Sequence, residues 1–186
     1  MKIMFQIWWK SETNKDRTKL DFYFSIKKNF GYEKYLDIED RNARIATSKL
    51  RLSCHCLPIE VLRYYGTDRI DRTCNICSQN KIGDEKHYLT ECGNQGMADI
   101  RTKLISDIKE TCPQMTNFSI QNIMTYCVSM SDEKIHVITS KFISNLLKQY
   151  KKEDSVPPLR IMCLRYMGKI RKPHLRRTKL KQKVGK

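Results

Sequence analysis

The fold depends on the stretch CNICSQNKIGDEKHYLTEC, residues 74–92, because it brings four soft metal ligands close together in sequence. Cys74, Cys77, His87 and Cys92 follow one another in the spacing C-x2-C-x9-H-x4-C. Zinc binds thiolate and imidazole well, and a C-x2-C turn lets both sulfurs face one point. A closed set of four ligands leaves no position for water or substrate. The spacing therefore predicts one structural zinc ion rather than a catalytic one.

The second ligand pair requires an irregular helix. His87 and Cys92 are five residues apart, so a rotation of about 100° per residue would place them about 140° apart around an ideal helix. We therefore expect a helix that starts near Asp84, turns His87 toward the ion and unwinds by Cys92. Gly93 would then take the left-handed conformation that ends many helices.

Other interpretations of the cysteines stay open. They can be ordinary buried residues, and a single C-x2-C also fits a redox dithiol, although no thioredoxin-like βαβ pattern surrounds it. Cys54-His55-Cys56 is a weaker second cluster. Because adjacent residues project in different directions, we favour buried cysteines and a hydrogen-bonded, structural His55 over metal binding there. No signal-peptide cleavage site follows the apolar run 3–9, so eight cysteines indicate an intracellular protein with thiols and metal rather than disulfides.

Apolar residues at three- and four-residue spacing predict a mainly α-helical domain over residues 1–156, built around the zinc-binding turn and helix. Helices are expected over about 16–29 and 38–52. A third carries the stripe Met97, Ile100, Leu104, Ile105 and Ile108, and a fourth runs from a Ser119 cap to about residue 130. A fifth, capped by Ser131 or Asp132, carries Ile135, Ile138, Phe142, Leu146 and Tyr150. No segment alternates as a strand.

Positive charge is concentrated at the C-terminal end. The net charge is +16, and eleven Lys and Arg but no Asp or Glu lie in residues 159–186. Because Pro157-Pro158 cannot continue a helix, we expect residues 157–186 to form a basic tail that is disordered or partly helical. Charge of this size favours RNA or DNA as partners, and no apolar run approaches the roughly 18 residues of a membrane helix. The run 169–183 is also a candidate nuclear-localisation signal.

Nucleic-acid contacts are expected from basic residues in two places. The candidates are Arg41, Arg44, Lys49 and Arg51 on the second helix, and Lys169, Arg171, Lys172, Arg176, Arg177 and Lys179 in the tail. Tyr64, Tyr65 and Tyr88 flank the metal ligands and are candidates for stacking on unpaired bases.

Several stretches occur in an order typical of a known family. These are TKLDFY (18–23), FGYEKYL (30–36), KLRLSCHCLPIE (49–60) and GDEKHYLTEC (83–92), with Arg63-Tyr64 between the last two. Over about residues 8–105 they resemble the region after the polymerase domain in reverse transcriptases of non-LTR retrotransposons. The resemblance implies a helical segment whose zinc-binding module, with ligands Cys74, Cys77, His87 and Cys92, helps to grip template RNA or target DNA.

Polymerase chemistry is not expected from this chain. It requires carboxylates that hold two metal ions, and the chain has no Asp-Asp dipeptide. Its acidic pairs are Glu39-Asp40, Asp84-Glu85, Asp132-Glu133 and Glu153-Asp154, and capping or solvation explains acids at helix ends. We therefore expect a non-catalytic, zinc-stabilised nucleic-acid-binding module. A zinc-shaped protein-interaction module and a decayed retroelement remnant without selected function stay open as alternatives.

Overall fold

The chain is mainly α-helical, as predicted, in a computed structural model that describes residues 2–13, 19–27, 29–115, 117–128 and 135–154. The α-helices are α1 (Lys2–Thr13), α2 (Asp21–Ile26), α3 (Arg41–Arg51), α4 (Pro58–Val61), α5 (Gln95–Thr111) and α6 (His136–Glu153). Short 3₁₀ turns cover Lys34–Asp37, Leu62–Tyr65, Arg69–Asp71 and Ile120–Asn122, and π-helical segments cover His87–Glu91 and Ile123–Val128. Extended pairing in these ranges is confined to an isolated bridge between Thr73 and Ile82.

The core forms around α6, which packs against both α3 and α5. The two apolar stripes predicted on α5 and α6 face this core because a helix buries the side on which its apolar residues recur. The buried members are Met97, Leu104 and Ile108 on α5, and Phe142, Leu146 and Tyr150 on α6, with Ile135 just before it. Ile100, Ile105 and Ile138 are partly buried at the edge of the same cluster.

Several helix boundaries differ from those predicted. Helix α3 starts only at Arg41, because the Asp40 carboxylate caps it and accepts from the N–H groups of Asn42 and Ala43 at 2.9 and 3.0 Å. The predicted fourth helix is a 3₁₀ turn followed by a π-helical segment. Ser119 stands at the N-cap position, where its N–H and its hydroxyl both donate to Oδ1 of Asn122 at 2.9 Å. The predicted 16–29 helix is reduced to α2 within the described residues. The Ser131 or Asp132 cap and the tail, residues 157–186, lie outside the described residues.

Helix α1 was not predicted, and it attaches to the domain through aromatic residues. Trp9 is buried, and its ring lies 5.7 Å from that of Tyr23, 5.5 Å from that of Phe24 and 5.8 Å from that of Phe30. Other apolar side chains of α1 are exposed, namely Ile3, Met4, Phe5, Ile7 and Trp8. None of the helices described is both long and apolar enough to cross a membrane.

Candidate metal centre

The four predicted ligands come together as a group that could hold one metal ion. Their ligand atoms all lie within 4.8 Å of one another. The sulfurs of Cys74 and Cys92 are 3.9 Å apart, and the sulfur of Cys77 lies 3.5 Å from Nε2 of His87. Cys74, His87 and Cys92 are buried, whereas Cys77 is half-buried. The site is therefore largely closed to solvent.

The first two ligands lie on a short hairpin, residues 73–82. Its arms are joined by the backbone N–H of Cys74, which donates to the carbonyl of Lys81 at 2.8 Å. Asn80 allows the chain to reverse because it takes the left-handed conformation, with φ of 50°, which asparagine adopts more readily than most residues. Gly83 then lies against Pro58, where an added Cβ would be 3.0 Å from the proline ring. The hairpin is thereby held against α4.

His87 and Cys92 belong to a π-helical turn, which solves the problem of their spacing. As predicted, Asp84 caps the start, because its carboxylate accepts from the N–H of His87 at 2.9 Å. The N–H of Cys92 then donates to the carbonyl of His87, five residues earlier, at 2.7 Å. A hydrogen bond between residues five apart makes the turn wider than an α-helical turn. Residues five apart therefore reach the same side of it. An α-helical turn would have kept them on different sides.

The expected left-handed Gly93 is wrong. The chain leaves the π turn through Cys92 itself, whose φ of −58° and ψ of 123° are extended. It passes directly into α5, which the side chain of Asn94 caps by accepting from the N–H of Met97 at 3.2 Å. An added Cβ at Gly93 would lie 3.0 Å from the side-chain nitrogen of Gln79, an exposed side chain that can move aside.

Arg101 supports the π turn and was not among the predicted site residues. It is only 5% exposed and donates to the carbonyls of Tyr88, at 3.3 Å, and Cys92. Burial lowers the pKa of Arg101, while the neighbouring Cys92 sulfur opposes that shift. The sequence could have indicated this role, because Arg101 shares the buried face of α5 with Met97 and Leu104. A cation on an apolar stripe indicates a buried partner.

Hydrogen bonds connect the ligand hairpin to α6. Asn75, between the two cysteines of the hairpin, accepts through Oδ1 from the hydroxyls of Tyr88 at 3.3 Å and Tyr150 at 3.2 Å. Its Nδ2 donates to Asp154 at 2.9 Å. The rings of Tyr88 and Tyr150 meet edge to face at 5.1 Å. Tyr88 is fully buried in this packing, so it is not available to stack on a base.

The electrostatics of the cluster favour ionised sulfur at Cys74. The hydrogen bond shared with the Cys92 sulfur lowers the pKa of Cys74, although burial opposes this shift. Hydrogen bonds from His87 and Tyr88 lower it further. Thiolate is the form in which cysteine binds a metal, so these neighbours prepare Cys74 as a ligand.

His55 is structural rather than a metal ligand in this structure. Its Nε2 lies 2.8 Å from the buried carboxylate of Glu85, which also accepts from the Ser53 hydroxyl at 2.8 Å. Although burial opposes it, these bonds hold the pKa of Glu85 below its usual range. The segment before α4 is thus attached to the start of the helix that carries His87. Contrary to expectation, Cys54 is exposed, and it accepts from the Lys19 ammonium at 3.3 Å.

We predict that His55→Ala lowers the free energy of unfolding by about 1–3 kcal/mol, because it removes a donor from a carboxylate that stays buried. Urea unfolding followed by circular dichroism measures this change. Cys54→Ser is the matched control, since the exposed neighbour should unfold at nearly the parent's urea concentration. Equal stability of the His55→Ala variant and the parent would show that the contact with Glu85 is unimportant.

The basic residues predicted to contact nucleic acid differ in exposure. Arg41 and Lys49 are exposed on α3, and Arg44 is half-buried, where it donates to the carbonyl of Ile38 at 2.7 Å. Arg51 requires a correction, because it is 1% exposed and forms an ion pair with Glu33 at 3.0 Å. Its guanidinium is therefore not part of the basic surface. The six tail residues, Lys169, Arg171, Lys172, Arg176, Arg177 and Lys179, lie outside the described residues.

Helix α6 adds a lysine stripe that was not among the predicted nucleic-acid contacts. The stripe consists of Lys141, Lys148, Lys151 and Lys152, all exposed. Two of these lysines lie near the start of α3. The pKa of Asp40 is lowered by the N–H groups of Ala43 and Asn42, and then by the ammonium groups of Lys141 and Lys148. The exposed Arg41 follows Asp40 directly, and we call Arg41 and Lys49 of α3 together with the α6 lysines the basic surface of α3 and α6, which has the Asp40 carboxylate at the start of α3.

Comparisons with protein-family models, with curated proteins and with solved structures find no match for this chain.

Proposed function

We propose that this chain is a non-catalytic nucleic-acid-binding module stabilised by one zinc ion. The observation that carries the zinc assignment is the spacing of the ligand atoms. Tetrahedral zinc, with bonds of about 2.3 Å to sulfur and 2.0–2.1 Å to nitrogen, separates two sulfurs by about 3.8 Å and a sulfur from a nitrogen by about 3.6 Å. The separations of 3.9 Å between Cys74 and Cys92, and of 3.5 Å between Cys77 and His87, agree with both values.

The surroundings of the four ligands support a structural ion. Three thiolates and one imidazole would give the zinc complex a net negative charge, and the buried Arg101 beside Cys92 offsets it. Burial of Cys74, His87 and Cys92 leaves little room for substrate. The ion would then stabilise the domain by holding the hairpin, the π turn and the start of α5 together.

Charge supports nucleic acid as the partner. The chain carries a net charge of +16, and the basic surface of α3 and α6 lies outside the metal site. On α6 the lysine stripe runs from Lys141 to Lys152 with no acidic residue between them. Phosphate groups bind such surfaces and release counterions, which makes the affinity depend strongly on salt. The basic tail would add to the same attraction. The resemblance to retrotransposon reverse transcriptases is consistent with this proposal.

We expect affinity for a labelled single strand to fall as salt rises from about 50 to 200 mM, with a slope in log–log form of about −0.7 for each phosphate contacted. Removing three stripe lysines together, by Lys141→Ala, Lys148→Ala and Lys152→Ala, should reduce the magnitude of the slope by about 2. Deleting residues 159–186 should reduce it further. Fluorescence anisotropy measures both effects.

The matched control for that experiment removes three lysines that are already paired with acids. Lys81 and Lys86 contact Glu91 at 3.1 and 3.6 Å, and Lys103 contacts Asp107 at 3.7 Å. Their triple alanine variant has the same net charge as the stripe variant but should keep nearly the parent's slope. Equal slopes for the two triple variants would contradict the role of the stripe, and absence of binding by the parent would contradict the proposed function.

A zinc-shaped protein-interaction module is the second candidate, and the exposed side of α1 favours it. Ile3 and Met4 are more than 70% exposed, and Trp8 is 53% exposed. Apolar residues grouped in this way are typical of protein contact surfaces. Binding through them would be insensitive to salt, which distinguishes this candidate from the first.

A further inference from the structure

We propose that two copies of this chain associate through the outward side of α1. We call this surface the apolar face of α1, and it consists of Ile3, Met4, Phe5, Ile7 and Trp8, with Phe30 beside them. Neither zinc nor nucleic acid accounts for an apolar surface of this kind, so the dimer goes beyond the proposed function. It also commits the face to one partner, a second copy of the same chain.

Helix α1 carries apolar side chains on two opposite sides. At about 100° per residue, four exposed side chains fall within an arc of about 140° around the helix axis, namely Ile3, Met4, Ile7 and Trp8. Trp9 lies opposite the centre of that arc and is buried against the domain. Each of the four is more than half exposed. Helices with apolar side chains on several sides are usually buried on each of them, so the outward side of α1 calls for a partner.

The apolar face is held in place by the opposite side of α1. The Trp9 ring packs against the rings of Tyr23, Phe24 and Phe30. Phe5 stacks on Phe30, with ring centroids 5.8 Å apart and ring planes 7° from parallel. Both phenylalanines are still 48% exposed, so they extend the face beyond the helix. Because α1 is anchored to the domain, little conformational entropy is lost when the face is covered.

The area of the apolar face is that of a protein–protein interface. The exposed parts of its six residues amount to about 800 Å² of accessible surface on each copy, and a standard interface buries about 800 Å² on each partner. The largest apolar patch of a typical monomer is only about 300–600 Å². Two such faces packed together would therefore bury enough surface for a stable dimer.

The chemistry of the face favours a second copy over a charged ligand. None of its six side chains carries a charge, so the face offers nothing to a phosphate group or to a charged peptide. Tryptophan, phenylalanine and methionine are enriched in protein interfaces. Symmetric dimers, in which one patch packs on the same patch of the partner, are the commonest oligomers. A second copy supplies an apolar surface of equal area.

The net charge of +16 on each copy opposes this association. Two such chains repel each other, and salt screens the repulsion because the Debye length falls from about 10 Å at 0.1 M to about 3 Å at 1 M. The dimer should therefore become more stable as salt rises, whereas binding of nucleic acid should become weaker. The two interactions can thus be tested separately on the same protein.

Sedimentation equilibrium of the nuclease-treated full chain at about 1–100 µM tests the dimer. We expect the mass to approach twice the 22.1 kDa of one copy, and to do so at lower protein concentration in high salt. Ile7→Glu should weaken the association by at least about 100-fold, because a symmetric dimer would bury the new carboxylate twice. Met4→Glu, at the most exposed position of the face, should act in the same way.

Ile70→Glu is the matched control. Ile70 is 75% exposed in the 3₁₀ turn Arg69–Asp71, outside the apolar face, so the same change of charge there should leave the dimer intact. Circular dichroism should show the parent's helical signal in all three variants, since each position is exposed. A parent that sediments as a monomer at every salt concentration would refute the dimer while the proposed function stands. A dimer that persists in both Ile7→Glu and Met4→Glu would refute α1 as its interface.

Discussion

Chelation of the metal is expected to lower the unfolding temperature of this protein sharply and to reduce its helical signal. In small zinc modules the apparent binding free energy is about 10–16 kcal/mol, and it is available only to the folded chain. Here the ligands join the hairpin to the π turn, and Asn75 connects that hairpin to Tyr150 and Asp154. Loss of the ion should therefore also loosen the C-terminal end of α6. Thermal unfolding followed by circular dichroism, with and without EDTA, measures the effect.

Substitution of one ligand should reproduce the effect of the chelator. Cys77 is the best choice because it is half-buried, so that Cys77→Ser changes the packing less than a change at the buried Cys74 or Cys92. We expect this variant to lose more than about 4 kcal/mol of stability and to be insensitive to EDTA. The exposed Cys54, changed to serine, should keep the parent's response to EDTA. A parent that melts at one temperature with and without EDTA would contradict this prediction.

Replacing Arg51 by alanine is expected to cost about 3 kcal/mol, the lower end of the range for a broken buried ion pair, because the Glu33 carboxylate keeps the Lys27 ammonium at 2.9 Å. The side chains of Arg51 and Glu33 are 1% and 15% exposed, and they lie 3.0 Å apart. Arg51 also donates to the carbonyl of Val128 and lies over the Tyr35 ring at 5.3 Å. Its removal thus separates α3 from the segment that precedes α6. Urea unfolding measures the cost.

A double substitution and a neighbouring lysine make this second prediction specific. Lys49→Ala, at an exposed position of the same helix, should change stability by less than about 0.5 kcal/mol. Arg51→Met with Glu33→Gln should recover part of the loss, because it removes the buried charge together with its partner, although Lys27 then loses its ion pair with Glu33. If Arg51→Ala unfolds at the same urea concentration as Lys49→Ala, the pair with Glu33 contributes nothing measurable.

The helices of the core could be predicted because their burial repeats locally. On α5 and α6 an apolar residue returns every three or four positions, and this period alone indicates which side faces inward. The four ligands could be predicted for a similar reason, since their identity and spacing are properties of one short stretch. Asp84 as the cap of the following helix required only the preference of aspartate for helix starts.

Contacts between residues distant in sequence could not be predicted in this way. Arg51 looks like one more surface cation until its partners are known, and the carbonyl that it meets is 77 residues away. The π turn places Cys92 next to Cys74, which lies 18 residues earlier in the sequence. Helix α1 was not predicted because its apolar residues do not recur on one side of a helix. Each of these features depends on packing between distant parts of the chain, which the local spacing of apolar residues does not reveal.

Native mass spectrometry of the full chain, purified without added metal, is the most direct test of the zinc site. We predict one zinc ion on each parent molecule and on each Cys54→Ser molecule, and none on Cys77→Ser. A folded parent that carries no zinc, or a Cys77→Ser variant that retains the ion, would contradict the assignment of Cys74, Cys77, His87 and Cys92 as the ligands.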